Sequence, residues 1–255
     1  MKFPFRLITS LVALLSCGCS ELEFEYATFA NPTVEPEEAE VQMALCGSYI
    51  ESEPSVPKGI DGDISGPEDE VSLVSMYHVG KAGDGFPDGF HRAAFVEIES
   101  DGTMDVDDLG NVFLATKIDD FYVLNFPLPK VTDEDLDSID KPPEKVVEWK
   151  PENYEGYFLV VLRPTQTGFK AYFLDKEKLK AEIKAARLSG DYMTKEEKDE
   201  HRKKEKLAKK EGKKIEDAWR PFTVKASPRE LRAFIEKRVE DVIDHEPFLL
   251  FKRVK

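Results

Sequence analysis

Cysteine is nearly missing from this chain. Of 255 residues only three are cysteine, and two of them, Cys17 and Cys19, fall close to the start. A body of this length can bury a core without disulfides. Cys46 is therefore expected to be a small buried residue, with a Cys19–Cys46 bridge as the lesser alternative. Long apolar runs are missing too: Leu7–Leu15 is apolar but well short of the ~20 residues that a bilayer-crossing helix needs. Positive charge is scarce in one half. Residues 20–160 hold 33 Asp and Glu against 8 Lys and Arg, whereas residues 161–255 hold 18 against 26. The acidic front disfavours nucleic acid and anionic lipid as partners. The basic back is suited to dock on that front or on an acidic partner. There is no Gly-x-Ser-x-Gly, no cysteine beside a plausible base, and no internal repeat, so the common signatures of nucleophilic catalysis and of solenoids are excluded.

What is present at the start is a targeting pattern. Lys2 and Arg6 precede the apolar run Leu7–Leu15, and the run closes in Leu14-Leu15-Ser16-Cys17. This stretch resembles the lipobox of bacterial lipoproteins, with an aliphatic residue three before the cysteine and a small residue just before it. The resemblance covers residues 1–17. It implies cleavage before Cys17, diacylglycerol on the Cys17 sulfur and a further acyl chain on the new amine. More than one chain is what stable anchoring takes. Gly18 stands where the family carries Asp as an inner-membrane retention signal, which directs the expectation to the outer membrane, facing the periplasm. Lipidation at Cys19 and an ordinary secretory peptide are the alternatives, and both leave the mature chain outside the cytoplasm.

The body is organised around Phe90–Phe126. Ala94, Val96 and Ile98 alternate with Glu97 and Glu99, the period of a half-buried strand. Turns at Ser100–Thr103 and Asp119-Asp120 separate this run from Asn111–Ile118 and Phe121–Phe126, which predicts an antiparallel meander. Val41–Ile50 and Val71–Val79 read as earlier strands. Tyr154–Leu162 is apolar on both faces and should be central, with Phe169–Leu174 following. Asp175 is placed to cap a helix over Lys176–Leu188 that Gly190 ends. Residues 194–217 form a charged helix with Thr194 and Glu197 as a capping box. Ser227-Pro228 opens a third helix with Leu231, Phe234, Ile235, Val239 and Val242 on one face. Phe248–Val254 is too apolar for a free tail and is expected to pair antiparallel with a front strand, Val41–Ile50, closing the sheet.

Candidate sites are sparse. The loop Gly80–Gly89 is glycine-rich, but Asp84 and Asp88 repel phosphate and Pro87 removes an amide, so a structured turn pinned by Phe86 is the better reading. His78 and His91 flank the loop, and with Asp84 and Asp88 they form a candidate metal set of imidazole and carboxylate. Asp61, Asp63 and Ser65, with Gly66 after them, resemble the opening of a calcium loop. Ser72 stands where that loop needs a bidentate Glu. No catalytic residue is assigned and no cofactor is called for.

The sequence thus predicts an α+β fold: a curved antiparallel β-sheet or partial barrel, two packed helices and one protruding charged helix. Residues 1–16 are a signal peptide, 17–40 an acidic tether, and 41–255 a single domain with the helical excursion at 194–217. The leading function is a non-enzymatic envelope lipoprotein, structural or partner-binding, held to the bilayer through Cys17. The alternatives are a barrel-type carrier of a small apolar ligand and an enzyme of unrecognised type. An apolar pocket inside the sheet distinguishes the carrier, converging polar groups the enzyme, and a filled core with an exposed patch the interaction protein.

Overall fold

Strand-forming runs separated by tight turns make the middle of the chain a meander. The computed structural model describes residues 27–52, 74–98, 104–130, 149–211 and 222–254. Its elements in chain order are β1 (Thr28–Phe29), β2 (Gly47–Ser52), β3 (Val74–Lys81), β4 (Phe90–Ile98), β5 (Met104–Ile118), β6 (Phe121–Pro129), β7 (Tyr154–Pro164), β8 (Gly168–Phe173), α1 (Lys176–Lys184), β9 (Gly190–Asp191), α2 (Lys195–Glu211), β10 (Thr223–Val224), α3 (Pro228–Val242) and β11 (Leu249–Arg253). Cys17, the candidate calcium residues Asp61, Asp63 and Ser65, and the first part of the expected tether lie outside the described residues.

Strands β2 to β8 follow one another antiparallel, and β11 lies between β8 and β2. The β6–β7 pairing, from Tyr122↔Leu162 to Pro129↔Tyr154, completes the ring. The result is a closed barrel of eight strands, where the sequence pattern left a partial barrel open. Among the described residues it is also mostly β, so the expected α+β fold is corrected to a barrel carrying three helices. The C-terminal strand pairs with the front strand as expected, in the register Leu250↔Ser52 to Arg253↔Tyr49, although that strand runs Gly47–Ser52 and not Val41–Ile50, because Met43–Leu45 forms a 3-10 turn before it. Strand β7 outruns β8, and its free first half takes on β1 through Phe29↔Tyr157, with β10 and β9 beyond.

The barrel wall separates two apolar clusters. Inside lie Tyr49, Tyr77, Phe113, Leu124, Phe158, Phe169 and Leu249, among others. Outside, Leu159, Val161 and Tyr172 meet Leu179 of α1 and Leu231, Ile235, Val239 and Val242 of α3. The apolar face expected of α3 is thus the face it buries. Its start is fixed by the Ser227–Glu230 capping box, and α1 by Asp175, whose carboxylate accepts from the Glu177 and Lys178 amides at 2.8 and 3.0 Å. Helix α1 stops at Lys184, earlier than the sequence suggested. Ala186 already takes a left-handed φ of 54°, and Gly190 lies in β9 instead of capping the helix. Buried Glu182 of α1 accepts two hydrogen bonds from Arg187 and one from Arg238 of α3, which joins the helices.

Residues 27–40 are not a free tether. They run along the barrel wall, with Phe29 and Thr33 buried, and cross Gly89 so closely that a Cβ there would meet the Ala39 carbonyl oxygen at 2.3 Å. The aromatic character of Phe29, unneeded in a linker, is explained by this docking.

Candidate functional site

Period-two alternation turns every second side chain of a barrel strand inwards, and whether those side chains fill the lumen decides what a small barrel can hold. Here the inward residues are mostly aromatic. Tyr77 meets Phe95 and Phe251 at ring-centroid distances of 5.2 and 5.3 Å, Tyr49 meets Phe169 at 5.7 Å, and Phe113 meets Phe126 at 5.2 Å. Between them remains a cavity of about 80 Å³, walled by all of these rings but Phe95, together with Leu45, Val79, Ala93, Leu124 and Leu162.

The two tyrosines that border the cavity both have bonded hydroxyls. Tyr77 donates its hydroxyl to Glu51 at 2.7 Å, and Tyr49 donates to the Leu45 carbonyl at 2.9 Å. A buried hydroxyl must find a partner, and because both are satisfied by these acceptors, the wall the two tyrosines present to the cavity is apolar. No cluster of polar groups converges on the cavity among the described residues lining it.

A single 3-10 turn, Met43–Leu45, lies against the cavity and puts Leu45 into its wall, with 3% of that side chain's residue exposed. The turn is tied to inward residues of the barrel. The Gln42 amide donates to His91 Nε2 at 3.0 Å, and the Tyr49 hydroxyl reaches the Leu45 carbonyl. Cys46, the next residue, is half-buried instead of a core residue, its carbonyl held by Arg253 at 2.5 Å; burial pushes its thiol pKa up.

The four candidate metal residues are not assembled. His91 is fully buried on the inner face, its ring stacked on Phe113 at 5.1 Å, and burial holds its pKa below the ordinary imidazole value. His78 sits between inward Tyr77 and Val79 and so points outwards, where its Nδ1 lies 3.0 Å from the Ser48 hydroxyl. The ladder pairs His78 with Ala94 and His91 with Lys81, so the imidazoles stand on opposite faces and in different rows. Asp88 is engaged by Lys81 at 2.6 Å, and Asp84 is exposed in the loop. His78 and Asp88 do share an open surface depression of about 770 Å³ outside the Met43–Leu45 turn. Among the described residues no group of three or more potential metal ligands forms.

Sequence reading missed the lumen residues as a site. The signal was present in the alternations Tyr77/Val79 and Phe169/Ala171/Phe173, where one parity is apolar throughout. Against protein-family models, curated proteins and solved structures, the chain has no match.

Proposed function

We propose that the protein is a lipid-anchored envelope lipoprotein whose barrel holds a slender apolar chain. The observation that carries the ligand half is the apolar cavity inside the closed barrel. Its size selects the guest. A ring the size of benzene occupies an engineered cavity of roughly 150 Å³, and 80 Å³ is well below that. Such a space takes the leading carbons of an unbranched alkyl chain, with the rest of the chain extending through its mouth. The half-buried state of Val79, Ala93, Phe126 and Phe251 supports a lumen that is reached from outside. The anchoring half rests on the Leu14-Leu15-Ser16-Cys17 pattern.

The test uses the full chain in phospholipid nanodiscs, dialysed against radiolabelled decanol. Decanol is expected to bind above the empty-disc baseline and to resist competition by naphthalene. Ala93→Phe, which fills the cavity from its wall, should abolish the excess. Equal binding by the wild type and Ala93→Phe would sink the ligand reading. In the same preparation Cys17→Ala should leave the signal peptide uncleaved and the chain without lipid, and normal maturation of that variant would sink the anchoring reading.

A further inference from the structure

The cavity is closed on one side by a separable piece of chain. Leu45 belongs to the 3-10 turn and not to a barrel strand, yet it lines the lumen beside Tyr49, Tyr77 and Phe113. The outer side of the turn is open: Met43 is 72% exposed and borders the surface depression. Remove the turn, and lumen and depression would join. What keeps it in place on its N-terminal side is the bond from the Gln42 amide to His91 Nε2. A backbone N–H is always a donor, so Nε2 must carry no proton, and a neutral His91 must hold its proton on Nδ1.

We propose that the Met43–Leu45 turn is a plug on the lumen and that His91 is its acid-operated latch. Protonation places a hydrogen on Nε2, directly against the Gln42 N–H, and an attractive contact becomes donor against donor. The imidazolium is also a charge at a fully buried position. Both effects are relieved when the N-terminal side of the turn lifts away and water reaches the ring. Tyr49 and Arg253 still hold the Leu45 and Cys46 carbonyls, so the turn swings without leaving the barrel.

Among the described residues no neighbouring charge supplies a competing switch. On β3, Lys81 stands opposite His91 but is occupied with Asp88, and His78 faces outwards. On β4, Arg92 lies on the opposite face from His91, with its guanidinium over Phe86. On β5 the packed group is the Phe113 ring, and Lys117 is exposed. Glu40 on the segment itself is exposed, and Tyr49, Tyr77 and Tyr122 face the lumen. Burial is what lowers the His91 pKa, and no charged neighbour contributes to the shift. Because that shift is downwards, the neutral, latched form is complete above the ordinary imidazole pKa, and the latch is lost as pH falls below it.

The proposal rests on the carrier reading for its purpose but not for its test. Hydrogen exchange of the full chain, corrected for intrinsic rates, is compared at pH 7.5 and pH 5. Protection of the Gln42 amide should fall at least tenfold at the lower pH, while amides of Val123 and Val161 stay protected. His91→Gln offers an amide oxygen to Gln42 at every pH and should keep protection flat. His91→Phe should be unprotected at both. In the nanodisc assay, decanol binding should rise about fivefold at pH 5 in the wild type and not in His91→Gln. Unchanged Gln42 protection, a pH response that survives in His91→Gln, or equal loss at Val123 and Val161 would each overturn the latch. A latch that responds as described with no decanol bound at any pH would overturn the carrier reading alone.

Discussion

Asn125 is the residue on which the docking of the N-terminal segment turns. It is fully buried in β6, a position where an unpaired amide would be costly. Its Oδ1 accepts from the Thr33 amide at 2.8 Å, and its Nδ2 donates to the Thr33 hydroxyl oxygen at 3.0 Å. Its Nδ2 lies 3.3 Å from the Leu114 carbonyl, and Thr33 in turn donates to Thr116 at 2.8 Å. Every capacity of the side chain is used, which is what lets a polar network sit beneath the segment. Asn125→Leu preserves volume but strands the Thr33 N–H, and a buried orphan donor costs about 1–3 kcal/mol. Urea denaturation should show a loss of about 2 kcal/mol. Thr33→Val added to it should cost less than it does alone, because the two share one network. Strictly additive losses would show that the contact does not couple them.

At the scale of elements, helix α2 tests how far composition governs burial. Its Thr194–Glu197 capping box forms as read, with the Thr194 amide donating to Glu197 at 2.7 Å. Nearly all of its described side chains are exposed, Leu207 included, and His201 is the buried exception. A helix this polar derives little stability from packing. Deleting Lys195–Lys214 and rejoining the ends with a short flexible linker should therefore move the melting temperature by only a few degrees, as read by circular dichroism. Loss of cooperative melting would show that His201 anchors more than itself. Caps and helical stripes were legible because they are local: Asp175, Thr194 with Glu197, Ser227, and the α3 stripe need nothing beyond their own neighbours. Strand β4 was not. Its alternation suggested Ala94 and Val96 as the core parity, yet Ala93 and Phe95 face the lumen beside His91. Both parities carry apolar residues, so period two marks a strand without saying which side is in. The register shift between Ala93 and Phe95 further disturbs the pattern. His91 was read as a loop-flanking ligand for the same reason. Only the closed barrel makes its position an interior one.

For the whole molecule the decisive element is β11, because a barrel has no spare strand. It pairs with β8 on one side and β2 on the other, the two strands that would otherwise be edges. The sequence foresaw the pairing from the apolar run Phe248–Val254, in which Leu249 is the fully buried residue. Leu249 is 1% exposed, Phe251 walls the cavity, and the Phe248 ring stacks on Phe173 at 3.7 Å. Gly168 shows how tightly the strand is seated, since a Cβ there would meet the Phe251 carbonyl oxygen at 1.8 Å. Loss of each large apolar side chain from such a site costs ~3 kcal/mol or more, and three together approach the ~5–15 kcal/mol of a whole domain. Truncation after Glu246 would remove them and also open two long edges in the middle of the ring. The shortened chain should lose cooperative melting and aggregate. Leu249→Ala, by contrast, should fold with a stability lowered by about 3 kcal/mol. If the truncated chain melts cooperatively near the full-length temperature, β11 is an appendage, and the lumen it walls has no claim to be the working part of the protein.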